Sequence, residues 1–188
     1  QARFGAGEHS DPPWLARLVA GLAGASPGDS VYDPCFGAGG FLVAVHDSVA
    51  HSGGETFHRI DDERLAISGV EINREAHIIA VTRMALAGID APRLEFGNSL
   101  ERPANQSRSF AGFDCIVANP PWGMRVGPEG LDHFPIRSND AVGLFVQHIV
   151  GQLKPDGRAV VVVPNGFLFR KGAEQRVREM LLSEHTVE

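Results

Sequence analysis

The sequence predicts an α/β fold, a doubly wound and mostly parallel sheet, from three observations. Short apolar runs rich in β-branched residues recur five times, each long enough for one buried strand. Stretches with apolar residues at helical spacing alternate with them, which implies right-handed crossovers. Turn residues punctuate the boundaries, as at Ser26-Pro27-Gly28-Asp29, which marks where each element stops.

In order, residues 1–10 are Gly-rich and polar and begin without methionine, which reads as a cut end. Asp11 is expected to cap a helix over Pro12–Ala23, with proline at the first helical position and Leu15, Leu18, Val19 and Leu22 on one face. Ser30–Asp33 reads as a strand. The loop Asp33-Pro34-Cys35-Phe36-Gly37-Ala38-Gly39-Gly40-Phe41 opens a helix carrying Leu42, Val45 and Val49. Glycines between strand and helix let backbone approach a ligand closely. A dinucleotide fingerprint is rejected, because Leu42 stands where its third glycine is required. Asp33 also argues against a pyrophosphate, which a carboxylate repels; it would attract an ammonium.

His51 to Arg64 reads as a polar surface insertion. Leu65–Ile72 is a second strand, and Glu71 at its end has the place of a ribose-binding carboxylate. Asn73 caps the next helix, which uses Ile78, Val81 and Ala85 and stops at Gly88. Arg93–Phe96 is a third strand, followed by Gly97-Asn98-Ser99-Leu100. Phe113–Ala118 is a fourth. Gly123–Asn139 reads as a mobile lid or base-entry loop. A helix from Asp140 through Phe145, Ile149 and Leu153 ends at Lys154-Pro155-Asp156-Gly157. Arg158–Val163 is the fifth strand, Gly172–Leu182 the last helix, and His185–Glu188 reads as the start of a sixth strand.

Composition bounds the function. The chain has 188 residues with a formal net charge of -6, against the usual surplus of Lys and Arg in strong nucleic-acid binders. With no membrane-length apolar run and no signal peptide, a cytoplasmic location is the default expectation. Cys35 and Cys115 are expected to be free thiols, and the scattered histidines, His46, His51 and His58 among them, suggest no metal site.

Chemistry concentrates at Asn119-Pro120-Pro121-Trp122, directly after the fourth strand. Two prolines stop a strand and stiffen the corner. The Asn119 amide oxygen and a proline carbonyl can accept the two hydrogens of a planar amine, while Trp122 stacks on the attached ring. Pulling that nitrogen toward tetrahedral geometry localises its lone pair on the side facing an electrophile.

These residues resemble the catalytic motif of amino methyltransferases that use S-adenosylmethionine, chiefly DNA adenine-N6 methyltransferases, and most closely the modification subunit of type I restriction-modification systems. Asp33 to Phe41 is similar to the family's Asp-Pro-x-Cys-Gly-x-Gly-Gly loop, with Phe36 and Ala38 at the usual Cys and Thr or Ser positions. Ser10-Asp11-Pro12-Pro13 is similar to a Thr-Pro segment, with Asp11 for Thr. Asn98 stands for the usual Asp, and Pro164 to Phe169 is similar to a Pro-x-Gly-x-Leu-Phe segment.

The resemblance implies the class I methyltransferase fold, truncated after strand five. It also implies one catalytic core over 1–188: a cofactor-closing segment at 1–24, a cofactor half at 30–118 and a catalytic half at 119–188, without a target-recognition domain. S-adenosylmethionine would be held by His9, Ser10 and Asp11, by Asp33, Pro34, Gly37, Gly39, Gly40 and Phe41, by Glu71, Ile72, Asn98 and Ser99, and by Asn119. Catalysis would fall to Asn119, Pro120, Pro121 and Trp122. The substrate would be a flipped adenine in double-stranded DNA, with a specificity subunit or missing domain as partner and no membrane. A protein glutamine amide, an RNA amine, or an inactive module that binds a partner subunit are the rival readings.

Overall fold

A computed structural model describes residues 11–52, 65–101, 112–127 and 129–188. His9, Ser10 and most of the 51–64 insertion lie outside them. The strands β1 (Ser30–Asp33), β2 (Ala66–Glu71), β3 (Arg93–Phe96), β4 (Phe113–Ala118) and β5 (Leu153–Val161) form a five-stranded sheet in the order β3-β2-β1-β4-β5. All four pairings are parallel, as expected.

The helices are α1 (Pro13–Ala23), α2 (Gly40–Ser52), α3 (Arg74–Leu86), α4 (Ala141–Gln152), α5 (Asn165–Phe169) and α6 (Ala173–Glu184). Alternate strand residues face opposite layers. Val31, Ile67, Cys115 and Val117 pack with α1, α2 and α3. Tyr32, Val70, Ile116 and Ala118 face the other side, where Ile149 of α4 joins them. Val142 and Val146 of α4 then meet Val177 of α6. The sheet is therefore doubly wound, and its strand order reverses between β1 and β4.

The faces of the first and third helices differ from those expected. On α1 the buried residues are Ala16, Val19, Ala20 and Ala23, while Leu18 and Leu22 are exposed. On α3 they are Ala76, Ala80 and Met84, with Ile78 and Val81 exposed. Close approach explains both cases, because small side chains let helix axes come near and large ones are turned outward. At Gly39 the approach leaves no room, since a Cβ there would lie 2.8 Å from Met84 Cε and 3.2 Å from Ala80 Cβ.

Asp11 does not cap α1. The N-cap is Pro12, with no side-chain bond, and the Asp11 carboxylate is engaged elsewhere. The Lys154 to Gly157 turn lies inside β5 as an irregularity, where Leu153 pairs Phe113 and Arg158 already pairs Cys115. Glycine is required there, because a Cβ on Gly157 would come 2.6 Å from the Phe113 carbonyl oxygen. Lys154 fixes the same irregularity by pairing with Asp114 at 2.6 Å.

Within the segment expected as a lid, Gly123–Asn139, several described residues are held by contacts. Leu131 and Phe134 are buried, the Gln147 amide brackets both backbone groups of Ile136, and Arg125 donates to Asn139 Oδ1 at 2.7 Å. His185 to Glu188 form no strand; His185 instead closes α6, its N–H donating to the Leu181 carbonyl.

Candidate active site

Ligands in open α/β sheets bind beyond the carboxyl ends of the strands where the order reverses. Here that crevice lies between Asp33, the last residue of β1, and Asn119, the first after β4.

Three tethers hold the Gly loop. Glu71 accepts from the Gly37 backbone N–H at 2.8 Å and from the Asn73 N–H at 2.7 Å, one on each carboxylate oxygen. Ser99 Oγ donates to the Pro34 carbonyl. Arg83 Nη1 donates to the Ala38 carbonyl at 3.1 Å. Gly37 adopts φ +53 and a Cβ there would meet nothing, so its face of the loop is open. Gly39, by contrast, is fixed by α3 packing. Phe41 is buried in the core, which leaves only its backbone for a ligand. Phe36, also buried, sits over Gly69, where a Cβ would come 2.5 Å from its ring. A glycine in β2 thus makes room for the departure from the family loop.

Asp33 is almost fully buried and accepts from the Cys35 N–H at 2.9 Å. Burial pushes its pKa up to about 8; the Cys35 N–H opposes this, and the negative charges of Glu71 and Asp11 add to it. Asp11, Asp33 and Glu71 therefore share one electrostatic neighbourhood, which favours a cation. Cys35, read from sequence as an unremarkable free thiol, proves to lie in this site. Burial, then the charges of Asp33 and Glu71, push the thiol well above its ordinary value, and backbone hydrogen bonding from Asn119 opposes this. Nothing in the sequence signalled that contact.

Ile72 is half exposed beyond β2. Asn98 uses its side chain locally: Oδ1 accepts from the Leu100 N–H at 3.1 Å and Nδ2 donates to Glu101 at 3.0 Å. It caps the turn Ser99–Glu101 and offers at most a remaining lone pair to a ligand.

At the opposite side of the crevice, Pro120 is buried, Pro121 is exposed and Trp122 is 55% exposed. The indole is therefore not a core residue. Asn119 Nδ2 donates to Asp11 Oδ1 at 2.7 Å, while Asn119 Oδ1 is buried with no partner. Leaving such an acceptor unpaired costs about 1–3 kcal/mol, which makes the atom ready for a donor.

Of the residues expected at the site, Asp11, Asp33, Glu71 and Asn119 converge through these contacts and charges, joined by Pro34 and Gly37 on the loop and by Ser99, which bonds to it. The side chains of Phe41 and Asn98 are directed elsewhere. Among the described residues no cluster of His, Cys, Asp or Glu fits a metal ion.

A doubly wound sheet with an acidic strand-one end and a Gly loop tied to an acidic strand-two end is the class I methyltransferase arrangement. A putative class I S-adenosylmethionine-dependent methyltransferase from Listeria monocytogenes shares the fold at TM-score 0.75 and 19% identity, over 92% of this chain and 51% of that one. The chain belongs to the N-6 DNA Methylase family, whose model matches residues 1–188. It is 31% identical to the EcoEI type I restriction enzyme methylase subunit of Escherichia coli, over 100% of this chain and 39% of that protein. A modification subunit of a putative type I restriction enzyme from Vibrio vulnificus superposes at TM-score 0.82 and 28% identity, covering 96% of this chain and 39% of the other. The chain thus spans about two fifths of the length of these relatives.

Proposed function

We propose that this chain is the catalytic core of an adenine-N6 DNA methyltransferase that uses S-adenosylmethionine within a restriction-modification system. The observation that carries the reading is the Asn119 amide: its donor end is held by Asp11, and its acceptor oxygen is buried and unpaired, beside an exposed indole. An amine donor on a stackable ring satisfies both.

The residues fit the cofactor. Asp33 is a buried carboxylate with acidic neighbours, matched to the ammonium of the amino-acid end. Glu71 retains lone pairs beyond its two backbone bonds for ribose hydroxyls, Gly37 leaves an open approach, and Ile72 offers an apolar surface. When bound, S-adenosylmethionine supplies an electrophilic methyl group on a sulfonium.

The protein's own task is then placement. Asn119 Oδ1 and the Pro120 carbonyl accept the two N6 hydrogens, which localises the nitrogen lone pair, and Trp122 holds the ring of a base turned out of the duplex, since N6 is not reachable by a pocket while stacked. No strong base is required before the bond forms, because the nitrogen becomes acidic only as it gains the methyl group from the sulfonium, and its surplus proton then passes to solvent.

The net charge of -6 gives little electrostatic hold on phosphates, so we assign DNA placement to a specificity subunit or further domain; the relatives are themselves named as subunits. Among the described residues no helix is long and apolar enough to cross a membrane, and we place the protein in the cytoplasm. The inactive-module reading loses force, because Gly69 accommodates Phe36 without filling the open side of Gly37.

The test is to incubate the intact protein, with its partner subunit where one is required, with methyl-labelled S-adenosylmethionine and unmethylated genomic DNA, then to digest and separate the nucleosides. Label in N6-methyl-2′-deoxyadenosine is expected. Label in protein or RNA instead, or none with cofactor bound, would replace this reading by one of its rivals.

A further inference from the structure

Asp11 immediately precedes Pro12, is half-buried, and makes no cap bond to α1. Its carboxylate reaches across 108 residues of sequence to Asn119 Nδ2 at 2.7 Å. The two ends of a primary amide are nearly the same in size and opposite in function, one donating and the other accepting. A flipped Asn119 would present an NH2 group to the substrate amine, and two donors would face each other.

A carboxylate can only accept, so it receives only the donor end of the amide. A hydroxyl at this position would both donate and accept and would tolerate either orientation. We propose that Asp11 is a positioning residue that fixes the flip of the Asn119 amide, so that Oδ1 faces the reacting amine; the proposal rests on the methyl-transfer reading above. It assigns the head of α1 a part in setting up the acceptor at the end of β4, in addition to any contact with the cofactor.

Two readouts separate this role from a merely structural one. In the intact protein labelled with 15N-asparagine, the Asn119 side-chain NH2 signals, assigned by their loss in Asn119→Ser, are expected to shift and exchange faster with water in Asp11→Ala and to change less in Asp11→Asn, whose Oδ1 still accepts but whose NH2 also admits the flipped amide. In single-turnover methyl transfer at saturating S-adenosylmethionine, Asp11→Ala is expected to lose about 10- to 100-fold in rate, the scale of a misplaced catalytic group, beyond any change in cofactor Kd. Asp11→Asn, whose amide can both accept and donate, is expected to give a rate between those of the parent and Asp11→Ala.

An unmoved amide signal, a rate within about twofold of the parent, a loss confined to cofactor Kd, or an asparagine variant as poor as the alanine one would each overturn the proposal. If Asp11→Ala gives no cooperative melt, Asp11→Thr takes its place, with a smaller rate loss in the same direction expected and none overturning it. Should the parent protein methylate no adenine, the function proposed above falls, while the amide signals still decide whether Asp11 holds Asn119.

Discussion

The two sides of the crevice are built on opposite principles. On the β1–β2 side, polar groups are tied down before any ligand arrives: Glu71 takes two backbone N–H groups, Ser99 takes the Pro34 carbonyl, and Asn98 caps its own turn. At the β4 side one buried acceptor has no partner and a large aromatic ring faces outward. On the function proposed above, the first side is a preformed cradle for the cofactor, and the second keeps its interaction capacity in reserve, as differential stabilisation of a reacting group demands.

The sharpest way to break this contrast is Asn119→Ala. Removing the unpaired acceptor is expected to lower single-turnover methyl transfer by about 100-fold or more, the scale of losing one group aimed at developing charge, with cofactor Kd changed by less than about threefold. A variant equally impaired in cofactor binding would show that the corner is part of the cradle.

Glu71→Ala probes the other side. It orphans the Gly37 and Asn73 N–H groups, at about 1–3 kcal/mol for each one that stays buried. Cofactor affinity is expected to fall by about tenfold or more and the melting temperature to drop, measured by calorimetric titration and thermal unfolding. Unchanged thermal stability with lost affinity would mean that Glu71 serves the ligand alone.

The smallest effect expected is a pH dependence. Because burial raises Asp33 from 3.8 to about 8 in the fold, the stability of its protonated form is fully present below pH 3.8 and is lost as pH rises through about 8. An ammonium ligand favours the charged carboxylate. Cofactor affinity is therefore expected to rise toward pH 8 and to fall above it as the ligand's own amine loses its proton. Proton release on binding, read by titration in buffers of different ionisation enthalpy, should vanish in Asp33→Asn. Release that persists there would move the titrating group elsewhere.

Legibility followed the range of the interaction. The five strands, the Gly loop and the stiff Asn-Pro-Pro corner are written in contiguous residues, because strand burial and proline geometry act locally. The buried faces of α1 and α3 were not, since alanine and leucine both suit a helix and only the closeness of its neighbours selects between them. Within 123–139 the glycines and prolines read locally as a loop, whereas the burial of Leu131 and Phe134 and the Gln147 bracket on Ile136 are contacts that only the packed fold supplies. At the site, Asp33, Glu71 and Asn119 were readable as strand-end residues, whereas the place of Cys35 was not.

By itself, then, the sequence determined a parallel α/β sheet, the strand ends at which chemistry collects, and the donor and acceptor types available there. Only the tertiary structure decided which atoms of those residues are already engaged. It joined Asp11 to Asn119 and left one amide oxygen unpaired. Such pairings form between segments far apart in the chain, and hydrogen-bond satisfaction is a property of the packed whole that no local pattern encodes.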